Sequence, residues 1–259
     1  MNTTKTLTNK DKPVESYLYA SDKDRIVKLV MKMGHKAEDS LSRAMEAIIT
    51  ANDALAKAVE NDDDEIDALN EEGDLECLRS IAMRQPVRNE LRFIFATIKT
   101  MTDLERIGDE AVNIARWAKE LRKYSRFPIS QNLVDMADIA SSMLRDVLEA
   151  FRTSNGDICG EICRRDNLVD RHYAEVISNF IALMASWINN PAEDAERRVL
   201  NAERLHSLTG QMWISRHLER VGDHVSNMAG RVYFMDKGEL LEKNKDEDKH
   251  KEKPVTGRV

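Results

Sequence analysis

Glu105 and Asp109 stand four residues apart in the stretch Leu104-Glu105-Arg106-Ile107-Gly108-Asp109, and Glu219 and Asp223 repeat that spacing in Leu218-Glu219-Arg220-Val221-Gly222-Asp223. On a helix, residues i and i+4 sit one turn apart on the same strip, so each motif places two carboxylates side by side. Two like charges at that spacing cost a helix roughly 0.2–0.5 kcal/mol. A hard cation offsets the repulsion, and carboxylate oxygens suit Mg, Mn, Ca or iron. Asp63/Asp67 and Asp166/Asp170 supply two further i, i+4 pairs, so each half could set four carboxylates between adjacent helices, with Asn113 and Asn227 extending the strips as possible additional ligands. A single such pair reads more readily as a solvated helix face, because this spacing is frequent in charged helices. Four pairs at corresponding places favour metal binding.

Other chemistry is thinner. Glu203 and His206 have the Glu-x-x-His spacing of carboxylate-bridged di-iron bundles, but that architecture uses two such motifs and the chain has one. His224 follows Asp223 directly and points about 100° away from it. Cys77, Cys159 and Cys163 form neither a disulfide framework nor a Cys-x-x-Cys pair, which suits a reducing compartment. No phosphate-cradling glycine loop and no nucleophile elbow occur, and a protein without catalytic activity is expected.

The elements that position these residues read as helices. All five prolines fall where a helix would start, stop or turn, and they divide the chain into six stretches of roughly 22–60, 63–84, 88–123, 131–164, 166–189 and 192–236. Ser21 and Ser130 are candidate N-caps. Thr50 to Asp53 and Thr153 to Asp157 are weaker points where the long first helix of each half would kink. Ile26, Val30, Met33, Ala37, Leu41, Ala44 and Ile48 recur at steps of three and four and define a buried stripe. On the third helix, Leu104, Ile107, Gly108, Ala111, Ile114, Ala115 and Ala118 share the packed face, and Glu105 and Asp109 lie away from it. Gly108 and Gly222 sit mid-helix, where glycine costs roughly 1 kcal/mol relative to alanine, which predicts a close approach there.

The chain is duplicated. Residues 33–67 lie over 136–170 without a gap, pairing Met33 with Met136, Leu41 with Leu144, Asn52 with Asn155, Asp63 with Asp166 and Asp67 with Asp170. The two six-residue motifs match further on, with Asn113 and Ala115 recurring as Asn227 and Ala229. This predicts an all-α protein of two tandem three-helix bundles related by a pseudo-twofold axis: a flexible N-terminus over 1–20, a first repeat over 21–125, a second over 130–236 and a charged, disordered tail over 237–259.

Composition agrees. Of 259 residues, 42% are hydrophobic and a third are charged, enough for a core clothed in solvated helix faces. The net charge of −7 argues against nucleic acid as a partner. No apolar run reaches the roughly 20 residues of a membrane span and the N-terminus has no signal-peptide core, so a cytoplasmic location is expected, peripheral to the inner membrane only through partners.

The two Leu-Glu-Arg-(Ile/Val)-Gly-Asp stretches, together with Arg84-Gln85-Pro86, Leu91-Arg92, Asp63 and Asp166, resemble the PhoU family of phosphate-uptake regulators over roughly residues 15–240. The resemblance implies two three-helix bundles side by side, and metal clusters of iron or zinc held by Asp63, Asp67, Glu105 and Asp109 in one half and by Asp166, Asp170, Glu219 and Asp223 in the other. It implies a regulatory adaptor that links the ATPase subunit PstB of the phosphate ABC transporter to the sensor histidine kinase PhoR and holds the phosphate-starvation response off when phosphate is plentiful. A homodimer is expected. Arg84, Arg88, Glu90 and Arg92, around the Gln-Pro turn where Arg88 and Glu90 stand in place of the family's common Ala and Asp, are the candidate partner-binding residues. Two alternatives stay open on the residues alone: a carboxylate-bridged metalloenzyme, and a helical scaffold that binds no metal.

Overall fold

The structure, a computed structural model, describes residues 12–124, 127–189 and 194–242. Among them the chain is helical throughout, with no strand: α1 Lys12–Thr50, α2 Asp53–Arg84, α3 Asn89–Arg122, α4 Gln131–Thr153, α5 Cys159–Asn189 and α6 Ala195–Lys237. Six helices were expected, but two boundaries moved. The breaks between the first and second helix of each half fall at Ala51-Asn52 and at Ser154–Ile158, not near residues 61 and 165.

Local chemistry explains the move. Ala51 and Ser154, equivalent in the aligned halves, both take left-handed backbone conformations (φ 52° and 53°). The N–H groups of Asn52 and Asn155 donate back to the carbonyls of Ala47 and Ala150, at 3.0 and 2.9 Å, which closes both helices in the same way. The Asn52 side chain then accepts from the N–H groups of Ala54 and Leu55 and starts α2, while Asn155 accepts from Asp157. Thr50–Asp53 and Thr153–Asp157 are therefore helix breaks and not kinks. The acidic run Asn61 to Asp64, read as a boundary, lies inside α2.

At the N-terminus α1 begins at Lys12, so Ser21 is inside a helix and caps nothing, and residues 12–20 are helical where a flexible arm was expected. Pro13 is compatible with this because the first turn of a helix needs no N–H from it. Residues 1–11, the link residues 125–126, the Pro191 turn and the tail from residue 243 lie outside the described residues. Ser130 does occupy the N-cap position of α4, but its side chain makes no capping bond; its N–H donates to the Gln211 side chain at 2.8 Å.

Helices α1, α2 and α3 pack on one another, as do α4, α5 and α6, and the two bundles join through α3 against α6 and α1 against α4. One apolar core runs through both, from Ile26 and Met33 to Val232 and Met235. At the α1–α4 crossing Gly34 admits the Leu148 side chain, which any Cβ there would strike. Along α3 and α6 the partners run in opposite directions: Phe95 meets Phe234, Asp103 meets His224, and Glu110 meets His217 and Arg220. The central helices are thus antiparallel, which corresponds to a pseudo-twofold axis running across them.

Several contacts obey that symmetry with their chemistry inverted. Arg43 on α1 bridges to Asp62 on α2 at 2.7 Å, and at the equivalent positions Asp146 on α4 receives Arg165 on α5 at 2.5 Å. Asp103 and Glu110 on α3 match His217 and His224 on α6 in the aligned motifs, and each acid pairs with the histidine across the axis: Glu110 with His217 Nδ1 at 2.7 Å, Asp103 with His224 Nδ1 at 3.1 Å. All the acids of this seam lie on one half and all the histidines on the other. Two first halves, or two second halves, would set like groups against each other there, so the seam specifies a first half against a second.

Candidate metal centre

Helix α3 presents two polar flanks on either side of its buried stripe. Leu104, Ile107, Gly108, Ala111, Ile114, Ala115 and Ala118 are buried as the spacing predicts. Asp103 and Glu110 face α6, whereas Glu105 and Asp109 turn toward α2, where Asp63 and Asp67 stand. The four carboxylates of the first half act on one another electrostatically. Partial burial, then Asp67, Asp109 and Glu105, push the Asp63 carboxyl up from 3.8 to about 6. Burial and then Asp109 and Asp67 raise Glu105, and burial and then Asp67 and Glu110 raise Asp109, with Arg106 opposing in both cases. In the second half burial and then Asp223 raise Glu219, with Asp170 and Asp166 adding and Arg216 opposing.

The mid-helix glycines belong to this arrangement. A Cβ on Gly108 would meet Ile66 at 3.0 Å and the Asp63 carboxylate oxygen at 3.2 Å. On Gly222 it would run into the Asp166 carboxylate oxygen. The space that glycine leaves is thus filled by the carboxylate of the neighbouring helix, which lies across the motif helix between its acidic residues. Helix approach alone, as read from the sequence, leaves out this second consequence.

The two halves hold these carboxylates differently. In the second, the Ser226 hydroxyl donates to Asp166 at 2.8 Å and Arg216 donates to Glu219 at 2.6 Å, beside a cavity of about 350 Å³ whose lining includes Arg220, Asp223 and Asn227. Val112 and Thr102 stand at the positions of Ser226 and Arg216 in the first half. Asn113, by contrast, accepts from Arg116 at 3.3 Å. Among the described residues no three Asp, Glu, His or Cys side chains already converge as a closed ligand set. A cation would draw neighbouring carboxylates together, and the chemistry of the set fits a hard or borderline ion: oxygen ligands, repelling one another, on two apposed helices.

The residues outside these strips are engaged elsewhere. His206 stacks on Tyr124 with ring centroids 5.5 Å apart, and His224 turns to Asp103. Burial pushes the Cys77 and Cys159 thiols up to about 12, far from the thiolate that binds metal.

A duplicated three-helix unit with acidic strips in matching places is a recognisable domain. The sequence profile of the PhoU domain matches residues 30–118 and again 133–232. The chain belongs to the PhoU family. It is 30% identical over 228 residues to the phosphate-specific transport system accessory protein PhoU homolog of Clostridium acetobutylicum, covering 88% of this chain and 98% of that one. It is 34% identical over 212 residues to the homolog of Pseudomonas aeruginosa, covering 81% of each. Crystal structures of PhoU from Pseudomonas aeruginosa (TM-score 0.72, 28% identity, covering 85% of this chain and all of that one) and from Streptococcus pneumoniae (TM-score 0.75, 24% identity, 86% and 99%) share its fold.

In this PhoU-family chain the turn between α2 and α3 is built on left-handed Gln85 (φ 49°) and on Arg88 (φ 52°). Arg84 is drawn back to Asp22 of α1 at 3.0 Å, and Arg92 to Asn89 at 2.9 Å beside Gly238. Arg88 is exposed and Glu90 half-buried, with Met83, Val87 and Leu91 exposed around them. Of the four candidate partner-binding residues, Arg88 is thus the one presented most openly. No described helix is long and apolar enough to cross a membrane.

Proposed function

We propose that this chain is a non-catalytic, metal-binding regulator of phosphate uptake that keeps the phosphate-starvation response off while phosphate is plentiful. It does so by joining the ATPase of a phosphate ABC transporter, PstB-like, to a sensor histidine kinase, PhoR-like, on the cytoplasmic side of the membrane. The observation that carries the reading is the double PhoU-domain match, with relatives described as accessory proteins of the phosphate-specific transport system matched over 98% and 81% of their length.

A cation bound at the carboxylate strips would supply positive charge that offsets the repulsion between the carboxylates of two facing helices. Asp63 and Asp67 on α2 with Glu105 and Asp109 on α3 would hold it in the first half, and Asp166 and Asp170 on α5 with Glu219 and Asp223 on α6 in the second, with Asn227 beside them at the cavity. Iron and zinc are the candidates from the family, and Mg or Mn from the oxygen-rich donor set. The protein's own residues set the geometry: Gly108 and Gly222 admit the facing aspartates, and Ser226 and Arg216 orient the second set. The exposed turn at Arg88, flanked by Met83, Val87 and Leu91, offers partners a mixed cationic and apolar surface of the kind protein interfaces favour.

Deleting the gene from cells grown in ample phosphate should raise alkaline phosphatase output several-fold, and the gene supplied in trans should restore repression. Unchanged output in the deletion strain contradicts the regulatory reading.

A further inference from the structure

Beside its carboxylates, α6 carries a second row of spaced polar side chains. Arg216 and Arg220 stand one turn apart, and His224 and Asn227 continue the row at steps of four and three. Two like charges at that spacing repel each other as the carboxylate pairs do, with the sign reversed. In the first half the equivalents are Thr102, Arg106, Glu110 and Asn113. The acidic strips are thus common to both halves, whereas the paired arginines belong to the second alone.

This row opens onto the cavity of about 350 Å³, at the small end of ligand sites. Arg216, Arg220, Ser226 and Asn227 bring hydrogen-bond donors to its wall, and Asp166 and Asp223 bring acceptors. His224 completes the lining, with its Nδ1 turned to Asp103 at 3.1 Å. None of these side chains is aliphatic, so the wall offers nothing to a nucleobase or an acyl chain. Arg216 engages Glu219 through Nη1 at 2.6 Å, and Arg220 engages Glu110 through Nη1 at 2.9 Å. A guanidinium has five N–H donors in a planar fork, so both arginines keep donors for a ligand, and they are 46% and 42% exposed.

Two arginines beside two aspartates suit a small anion that both accepts and donates. Inorganic phosphate is such an anion: at neutral pH it retains a proton, so its bare oxygens accept from Arg216, Arg220 and Asn227 while its hydroxyl donates to Asp223. Sulfate has no proton to give at that pH and sets its charge against the aspartates. A cation on the same carboxylates is compatible with this arrangement, since each carboxylate has lone pairs for both ligands and the anion lies between the cation and the arginines. The first half lacks the balance. At the equivalent positions one arginine, Arg106, stands among Asp63, Asp109 and Glu110, and Val112 replaces the Ser226 hydroxyl.

We infer that the cavity bounded by Arg216, Arg220, Asn227 and Asp223 is a binding site for inorganic phosphate, and that the first half has no such site. The inference rests on the regulatory reading for its role and deepens it: the chain reads phosphate directly, through its second half.

Equilibrium dialysis of the full chain, loaded with Mn at pH 7, against radiolabelled phosphate should return one phosphate per chain, with sulfate competing about tenfold more weakly or worse. Arg220→Gln, which keeps a donor for Glu110, should lower phosphate affinity about tenfold or more while Mn content before phosphate is added stays that of the wild type. Arg216→Thr/Ser226→Val, which gives α6 the residues of α3, should lower it as far and serves if Arg220→Gln does not fold. Arg106→Gln, the matching change in the first half, should leave it unchanged. The inference is overturned if phosphate does not bind, if sulfate displaces it equally well, if the α6 variants leave its affinity intact, or if they lose it only because they hold no Mn. The deletion phenotype tests the regulatory reading separately and does not depend on the outcome of dialysis.

Discussion

Glu110→Ala should destabilise the protein by about 2–3 kcal/mol in urea denaturation, at or just below the roughly 3–5 kcal/mol that removing one member of a fully buried pair costs. The Glu110 side chain is 3% exposed and accepts from His217 Nδ1 at 2.7 Å and from Arg220 at 2.9 Å. Removing it strands His217 in the seam between the halves, while Arg220, 42% exposed, can turn to water, which is why the larger values for fully enclosed pairs do not apply. Arg145→Ala, which breaks the exposed Arg145–Glu38 pair joining the same two halves at α1 and α4, should change stability by too little to measure. The comparison separates the buried antiparallel seam from surface pairing. Equal effects of the two substitutions would mean that the α3–α6 seam does not hold the halves together.

The second large effect concerns pH and metal. With its folded value at about 6 and its ordinary value at 3.8, the Asp63 carboxyl holds its proton more tightly in the folded than in the unfolded chain. Its contribution to stability is therefore full below pH 4 and is lost as pH rises through 6. In chelator, Asp63→Asn should raise the melting temperature at pH 7 and leave it nearly unchanged at pH 4. The gain is modest because Asp63 is only partly buried and water screens the site. A cation reverses the sign, since it binds the ionised carboxylates: added Mn or Zn should raise the melting temperature of the wild type more at pH 7 than at pH 5, and should raise that of Asp63→Asn less. Thermal scans at the two pH values check this. A metal-free Asp63→Asn variant that melts below wild type at pH 7 would mean that the carboxylates are not crowded.

Much of the fold is legible in single residues. Helical spacing placed Leu104, Ile107 and Ala111 inside and Glu105 and Asp109 outside, and the aligned halves placed Asp63/Asp67 and Asp166/Asp170 opposite them; the structure sets these groups within electrostatic reach of one another. Helix breaks were harder. Ala51 and Ser154 adopt left-handed conformations that neither residue type announces, and the cap that matters is a backbone bond from Asn52 to Ala47. The acidic run Asn61 to Asp64 resembles a loop but stays helical, with Arg43 holding Asp62 across the bundle.

The seam between the halves was not legible from periodicity, because Asp103, Glu110, His217 and His224 pair across more than a hundred residues. A signal did exist in the alignment, where acids on one half stand opposite histidines on the other. It needed the antiparallel packing of α3 on α6 to acquire meaning. The outward face of the α5–α6 hairpin was hidden for a related reason: its apolar run looks like core until the missing counterpart of α1 residues 12–27 shows that none of the described residues covers it.

Metal analysis by inductively coupled plasma spectrometry on protein equilibrated with limiting Fe, Zn and Mn tests most directly whether the duplicated carboxylate strips are cation sites. The wild-type chain should retain metal in both halves, Glu105→Ala/Asp109→Ala should lose the first half's share, and Glu105→Ala/Asp109→Ala/Glu219→Ala/Asp223→Ala should retain none while keeping its helical content. Equal metal content in the wild type and the four-site variant would contradict the account and leave these strips as solvated faces of a scaffold.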